Sequence, residues 1–157
     1  MTISDKGLAL IEHYEGFQAW AYKCPAGVWT IGIGTTIYPD GSHVKELDRI
    51  SYNKAKDYLL HDVRQTEYQV NAMLKVKLMQ CQYDALVSFA YNVGCNAFRQ
   101  SSLLKFINDY RTDISIEDTF LMWNKITVNG VKKVSKGLSN RRRSEAWLFL
   151  NNEVKYF

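Results

Sequence analysis

Several kinds of protein are excluded by what this 157-residue sequence lacks. Two prolines and nine glycines leave no stretch with the composition of a linker or disordered tail, and no internal repeat is present. Three cysteines, Cys24, Cys81 and Cys95, cannot all pair within one chain, which excludes a disulfide framework and suits a reducing compartment. The opening residues, Met1-Thr2-Ile3-Ser4-Asp5-Lys6-Gly7, hold no apolar run of signal-peptide length, and later apolar runs fall far short of the ~18 residues a membrane span needs. The expectation is accumulation in the cytoplasm without a membrane anchor. A substrate outside the membrane would then require a separate release system. His13, His43 and His61 have no zinc-like spacing, so no metal and no cofactor is expected.

What is present is the material of one globular core: 46% hydrophobic and 13% aromatic residues. The net charge of +4 fits attraction to an acidic polymer, nucleic acid or cell wall alike, and fits ordinary solubility equally well. Leu8, Ile11 and Glu15 share a helical face that starts near Thr2 or Ser4. Trp20 to Ile37, broken at Cys24-Pro25-Ala26-Gly27, reads as strand, turn, strand, with a second turn at Pro39-Asp40-Gly41. Ser51 is a plausible N-cap for an amphipathic helix through Ala55, Tyr58, Leu59 and Val63 to about Met73.

Everything beyond reads as helical: Gln80 to Tyr91, Ser101 to Tyr110, Ser115 to Trp123 with Ser115 and Asp118 as a capping pair, and Ser139 to Leu150. The fold class is α+β in a single domain. A small N-terminal lobe with an antiparallel sheet (about 1–50) is joined by a long helix (about 51–75) to a larger helical lobe (about 76–157).

Glu15 is the first candidate for chemistry. A carboxylate closing an apolar face before Gly16 and Phe17 is open to partial desolvation, which raises a carboxyl pKa and keeps a proton available for a glycosidic oxygen. Taken alone, such a residue is more often a solvated surface carboxylate. Its spacing is more telling. Glu15 is followed after eight residues by Cys24 and after five more by Thr30, inside Gly27-Val28-Trp29-Thr30-Ile31-Gly32-Ile33-Gly34-Thr35-Thr36. This segment closely resembles the catalytic segment of the phage-type lysozymes, in which Glu, Asp and Thr hold these positions. The resemblance continues in order through Asp84 to Gly94, Ala97-Phe98 with Ser101 to Leu104, and Gly137-Leu138 with Arg141, Arg142 and Glu145.

The resemblance implies an endolysin that hydrolyses the β-1,4 bond between N-acetylmuramic acid and N-acetylglucosamine in bacterial peptidoglycan, lysing the host at the end of phage infection. It further implies inversion, with room for a water between groups roughly 6.5 to 9.5 Å apart. Glu15 would be the acid, Thr30 would hold the water, and Cys24 would orient or activate it. Gly34, Thr36, Tyr91 and Ser101 would line the sugar site, although Tyr91 reads equally as a core aromatic and Ser101 as an N-cap. Arg141 matches the family arginine that pairs with the catalytic Glu, while the run Arg141-Arg142-Arg143 alternatively reads as a solvated helix start or a polyanion patch.

Two positions depart from the family pattern. Cys24 replaces Asp, and only adjacent Lys23 suggests a lowered thiol pKa; a small buried hydrophobe is the plainer reading. Thr35 replaces the usual His, which removes an ion pair and some local stability. The expected partner is peptidoglycan, with a monomeric enzyme and no specific nucleic acid, since no binding motif accompanies the scattered basic residues. The rivals are a lytic transglycosylase acting on the same bond and a non-catalytic wall-binding module.

Overall fold

A computed structural model describes residues 1–110 and 115–157. It divides into two compact units, Ile11–Gln65 and a unit formed by Met1–Leu10 with Thr66–Phe157. Two helices contribute to both: α1 (Asp5–Glu15) and α2 (Tyr52–Met73).

In the smaller unit, β1 (Gln18–Lys23) pairs antiparallel with β2 (Trp29–Gly32), matching Tyr22 to Thr30 and Lys23 to Trp29. The register breaks between Gln18 and Tyr22, and there β1 turns to another partner: Ala21 N–H donates to Asp48 O at 3.0 Å and Ile50 N–H to Ala19 O at 2.9 Å. The strand expected to reach Ile37 therefore stops at Gly32. Beyond it only isolated bridges join Ile31 to Thr35 and Ile37 to His43, because the two tight turns leave too little chain for a third full strand. Ile11, Ile31, Ile33, Val44, Ile50, Ala55, Leu59 and Val63 form the buried core. Each of the large aliphatics stabilises the unit by roughly 1.5–3 kcal/mol relative to exposure. Ser51 caps α2 as its sequence suggests, its Oγ accepting from Lys54 N–H at 3.3 Å.

The larger unit is built around α3 (Gln80–Val93), which is buried at every position from Tyr83 to Ala90. Such all-round burial marks a central helix. Short helices α4 (Cys95–Gln100), α5 (Ser102–Asn108) and α6 (Ile116–Leu121) and the long α7 (Lys136–Asn151) complete it. Phe89 sits edge-on to Phe98, Phe120 and Trp123 at centroid distances of 6.0, 5.5 and 5.7 Å. Such edge-to-face pairs each add about 0.5–1.5 kcal/mol beyond area burial. The first ten residues join this unit because its carboxylates hold them: Ser4 N–H donates to Asp84 Oδ1 at 2.9 Å and Ile3 N–H to Glu67.

One expectation fails here. The stretch after α6 is not wholly helical, since β3 (Lys125–Val128) and β4 (Val131–Val134) form a second antiparallel hairpin, and α7 begins at Lys136 rather than Ser139. Lys125 to Val128 alternates polar and apolar residues ahead of an Asn129-Gly130 turn, a period that a helix cannot use. Ser115 does cap α6, its Oγ accepting from Asp118 N–H at 3.0 Å. Cys24, Cys81 and Cys95 are all free thiols.

Candidate active site

Glu15 closes α1 and is half-buried, with Gly16 N–H returning to Glu12 O at 2.9 Å to end the helix. The chain then turns into β1, which delivers Tyr22 opposite Thr30 on the ladder. The Tyr22 phenol is pushed above its ordinary pKa by burial first, and then by the negative charges of Glu15 and Cys24. The charges of a carboxylate and of a thiol thus both reach one phenol. Gly34 completes this side. Its φ is +80°, and a Cβ added there would lie 3.2 Å from Glu15 Oε2, so a bare backbone lets the carboxylate rest against the chain.

Cys24 lies in the connection between β1 and β2. Its N–H donates to Val28 O at 3.0 Å and its carbonyl accepts from Gly27 N–H at 2.8 Å, which folds residues 24–28 into a tight loop. That loop turns backbone N–H groups onto the thiol. Those of Val28 and then Ala26 hold Cys24 below the ordinary thiol pKa against an opposing effect of burial, and the Thr30 hydroxyl adds a smaller lowering. The expectation that only Lys23 could act on the thiol is therefore corrected. Lys23 Nζ stands 5.2 Å over the ring of Trp29, and the loop amides are the cause.

Thr30 is buried, 4% exposed, and its Oγ1 donates to Val28 O at 3.1 Å. Within one unit, Thr30 therefore pairs with Tyr22 on the ladder, the charges of Glu15 and Cys24 reach its phenol, and Gly34 backs Glu15. Sequence reasoning missed Tyr22, although its place two residues before Cys24 on a strand was a usable signal. Thr36 is half-buried, and its carbonyl accepts from Val44 N–H at 3.2 Å.

Tyr91, Ser101 and Arg141 belong to the larger unit. Tyr91 is half-buried near the end of α3. Ser101 is 4% exposed and caps α5, accepting from Leu104 N–H at 3.1 Å while donating to Phe98 O at 2.7 Å. The Arg run is not a solvated helix start: Arg141 and Arg142 are 3% and 0% exposed, and only Arg143 faces solvent. Both buried arginines meet Glu145, Arg141 Nε at 3.3 Å and Arg142 Nε at 3.0 Å. Ser88 Oγ adds a bond to Glu145 at 2.9 Å, and Arg142 Nη2 donates to Asn92 Oδ1 at 2.8 Å. Arg141, Arg142 and Glu145 form a polar core; the resemblance included these residues without implying their pairing, though the i, i+4 and i, i+3 spacing of the two arginines to Glu145 on one helix was visible.

The sequence profile of the family described as Phage lysozyme matches residues 12–145, from the last turn of α1 to Glu145. The chain belongs to the phage lysozyme family. It is 42% identical over 151 residues to an endolysin of Acyrthosiphon pisum secondary endosymbiont phage 1, covering 95% of this chain and 98% of that one. An endolysin of Bacillus phage PZA is 44% identical over 157 residues, and the chain spans 57% of its length. Among solved structures, an endolysin from Escherichia coli O157:H7 phage FAHEc1 superposes with a TM-score of 0.92 at 41% identity, covering 99% of this chain and 97% of the other. The α+β, lysozyme-like fold follows. So does the activity of this family member, a glycoside hydrolase of the endolysin type acting on peptidoglycan.

Proposed function

We propose that this lysozyme cleaves the β-1,4 bond between N-acetylmuramic acid and N-acetylglucosamine by inversion, with Glu15 as general acid and with Thr30 and Cys24 holding and activating the water. The observation that carries this reading is that Thr30 pairs with Tyr22, whose phenol feels the charges of both Glu15 and Cys24, while the Cys24 thiol is held below its ordinary pKa. An acid must protonate the departing oxygen while a second group takes a proton from water on the opposite side. Glu15 can supply the first service. Cys24, its thiol held below the ordinary pKa by the loop amides, can take up the second, with Thr30 beside it to position the water.

Gly34, Thr36, Tyr91 and Ser101 are assigned to the sugar, and Arg141 to the support of Glu15, on the family resemblance. For Gly34 there is the added support of its contact distance to Glu15. The whole chain serves as a single lysozyme domain and works as a monomer. It accumulates in the host cytoplasm and reaches the wall through a separate release system. Among the described residues no helix is long and apolar enough to cross a membrane.

Digestion of purified sacculi, with the new reducing ends followed by NMR from the first turnovers, tests the mechanism. Free reducing ends that appear first in the inverted configuration support it. Anhydro ends would move the enzyme to the lytic transglycosylases, and retained configuration would make Cys24 a nucleophile.

A further inference from the structure

The charge of this chain is unevenly placed. Residues 119–144 hold seven Lys and Arg and no Asp or Glu, whereas the rest of the chain has thirteen basic against sixteen acidic residues. Arg141 and Arg142 are buried, which leaves Lys125, Lys132, Lys133, Lys136 and Arg143 exposed. Three of these five lie on the β3–β4 hairpin and a fourth follows it by two residues.

The hairpin also exposes apolar side chains. All eight of its strand residues are exposed, with Ile126 at 46%, Val128 at 38%, Val131 at 57% and Val134 at 63%. The register pairs Val128 with Val131, Thr127 with Lys132 and Ile126 with Lys133. By alternation, Ile126, Val128, Val131 and Lys133 share one face, and Lys125, Thr127, Lys132 and Val134 share the other. Lys125, Thr127 and Lys132 border an open depression of about 620 Å³ with Asn92, Met122 and Trp123, so their face looks toward the body of the unit. The Ile126, Val128 and Val131 face looks away from it. Single exposed aliphatics are ordinary on a protein surface. Three on one face of a hairpin, with Lys133 among them and no carboxylate between residues 119 and 144, form a pattern with a chemical preference.

We propose that the β3–β4 hairpin docks on an anionic lipid surface, with Val128, Val131 and Ile126 entering the boundary between headgroups and acyl chains while Lys133, on the same face, meets the phosphates. Association with such a surface grows with buried apolar area and with the number of cations near it. A dissolved polyanion would use the lysines and leave the aliphatic face without a role, and for that reason the lipid surface is the better fit. The Asn129-Gly130 turn, with φ of 51° and 76°, keeps the two valines side by side at the tip. Docking of this kind does not depend on the hydrolytic mechanism.

Sedimentation of the full chain with vesicles of mixed phosphatidylglycerol and phosphatidylcholine, against phosphatidylcholine alone, tests the proposal. The protein should sediment with the anionic vesicles only. Val128→Ser with Val131→Ser should weaken this about tenfold, since each lost buried methylene-sized group is worth roughly fourfold. Lys133→Gln should weaken it about fivefold. Thermal melts and cleavage of soluble wall fragments should be unchanged, and Val128→Ile with Val131→Ile should restore or strengthen docking. Absence of sedimentation with anionic vesicles would overturn the proposal. So would a serine pair that binds like the parent while Lys133→Gln does not, which would assign the patch to a dissolved polyanion.

Discussion

Among the described residues are two antiparallel hairpins of similar size, and they are opposites. β1–β2 turns one strand inward, burying Thr30, Ile31 and Gly32, and links its strands by the loop at Cys24 that aims amides at a thiol. β3–β4 is joined by a two-residue turn and leaves every strand residue exposed. An isolated two-stranded hairpin is marginal in water, so each needs something beyond its own ladder. The first has the core of its unit, with α2 and the Asp48–Ile50 segment against it. Its packing fixes the atoms that chemistry needs, whereas the second hairpin has only surface to offer. Rigid placement suits catalysis, and exposed placement suits adhesion.

The largest break in this comparison comes from Glu15→Gln, which leaves the packed hairpin in place and removes its proton source. Wall clearing should fall by about 10²- to 10⁴-fold, the usual worth of a general acid, with no loss in the thermal melt. Vesicle docking by the second hairpin should not change. Near-normal clearing by the folded variant would remove Glu15 from the mechanism.

Cys24 comes next in size. Cys24→Ala should cost about 10²-fold, Cys24→Ser less, and Cys24→Asp should keep or raise activity, as a carboxylate is ionised at neutral pH. The loop amides of Val28 and Ala26 lower the thiol pKa in the folded protein only. Their stabilising effect is therefore fully present above the unfolded thiol pKa and fades as pH falls through the folded one. Alkylation of Cys24 by iodoacetamide, followed against pH, should show a midpoint below that of a free thiol. A midpoint at or above the free value would deny the loop this influence.

The two hairpins were also unequally legible in the sequence. Glu15, Cys24 and Thr30 could be read from spacing because the family motif is contiguous in the chain and local structure decides their placement. The helices with strong periodicity and caps at Ser51 and Ser115 could be read for the same reason. The β3–β4 hairpin announced itself through the alternation of Lys125 to Val128 and the Asn129-Gly130 turn, but a helical reading of its neighbours concealed it. Helix α4, six residues long, is too short for any period to show. The burial of Arg141 and Arg142 depends on how α3 and α7 pack, so no pattern within Arg141-Arg142-Arg143 reveals which of the three turns inward.

A smaller effect is expected where the second hairpin turns. Gly130→Val places a branched side chain at φ of 76°, which costs about 1–2 kcal/mol. Since nothing buried depends on this hairpin, the loss should stay local. Amide exchange in Lys125–Val134 should quicken and vesicle docking should fall, while cleavage of soluble fragments remains as before. Global unfolding of this variant would mean that the second hairpin supports the core after all.

The smallest expected effect is a gain, and it tests whether the packed hairpin carries a cost along with its function. Thr35 is bridged to Ile31 of β2 by two backbone bonds, Ile31 N–H to Thr35 O at 2.8 Å and Thr35 N–H to Ile31 O at 3.0 Å. Its side chain is 0% exposed, and among the described residues its hydroxyl has no hydrogen-bond partner. Leaving such a group dry costs about 1–3 kcal/mol, and an apolar side chain of the same shape avoids that cost without opening a cavity. Thr35→Val keeps both backbone bonds and the branched outline. It should stabilise the fold by about 1 kcal/mol, a rise in Tm of roughly 2–4 °C for a chain of this length, with wall clearing unchanged. Thr35→Ser keeps the hydroxyl and loses a methyl group, so it should lower Tm. A fall in Tm on Thr35→Val would mean that the hydroxyl is satisfied by buried water, and the packed hairpin would then carry no such cost.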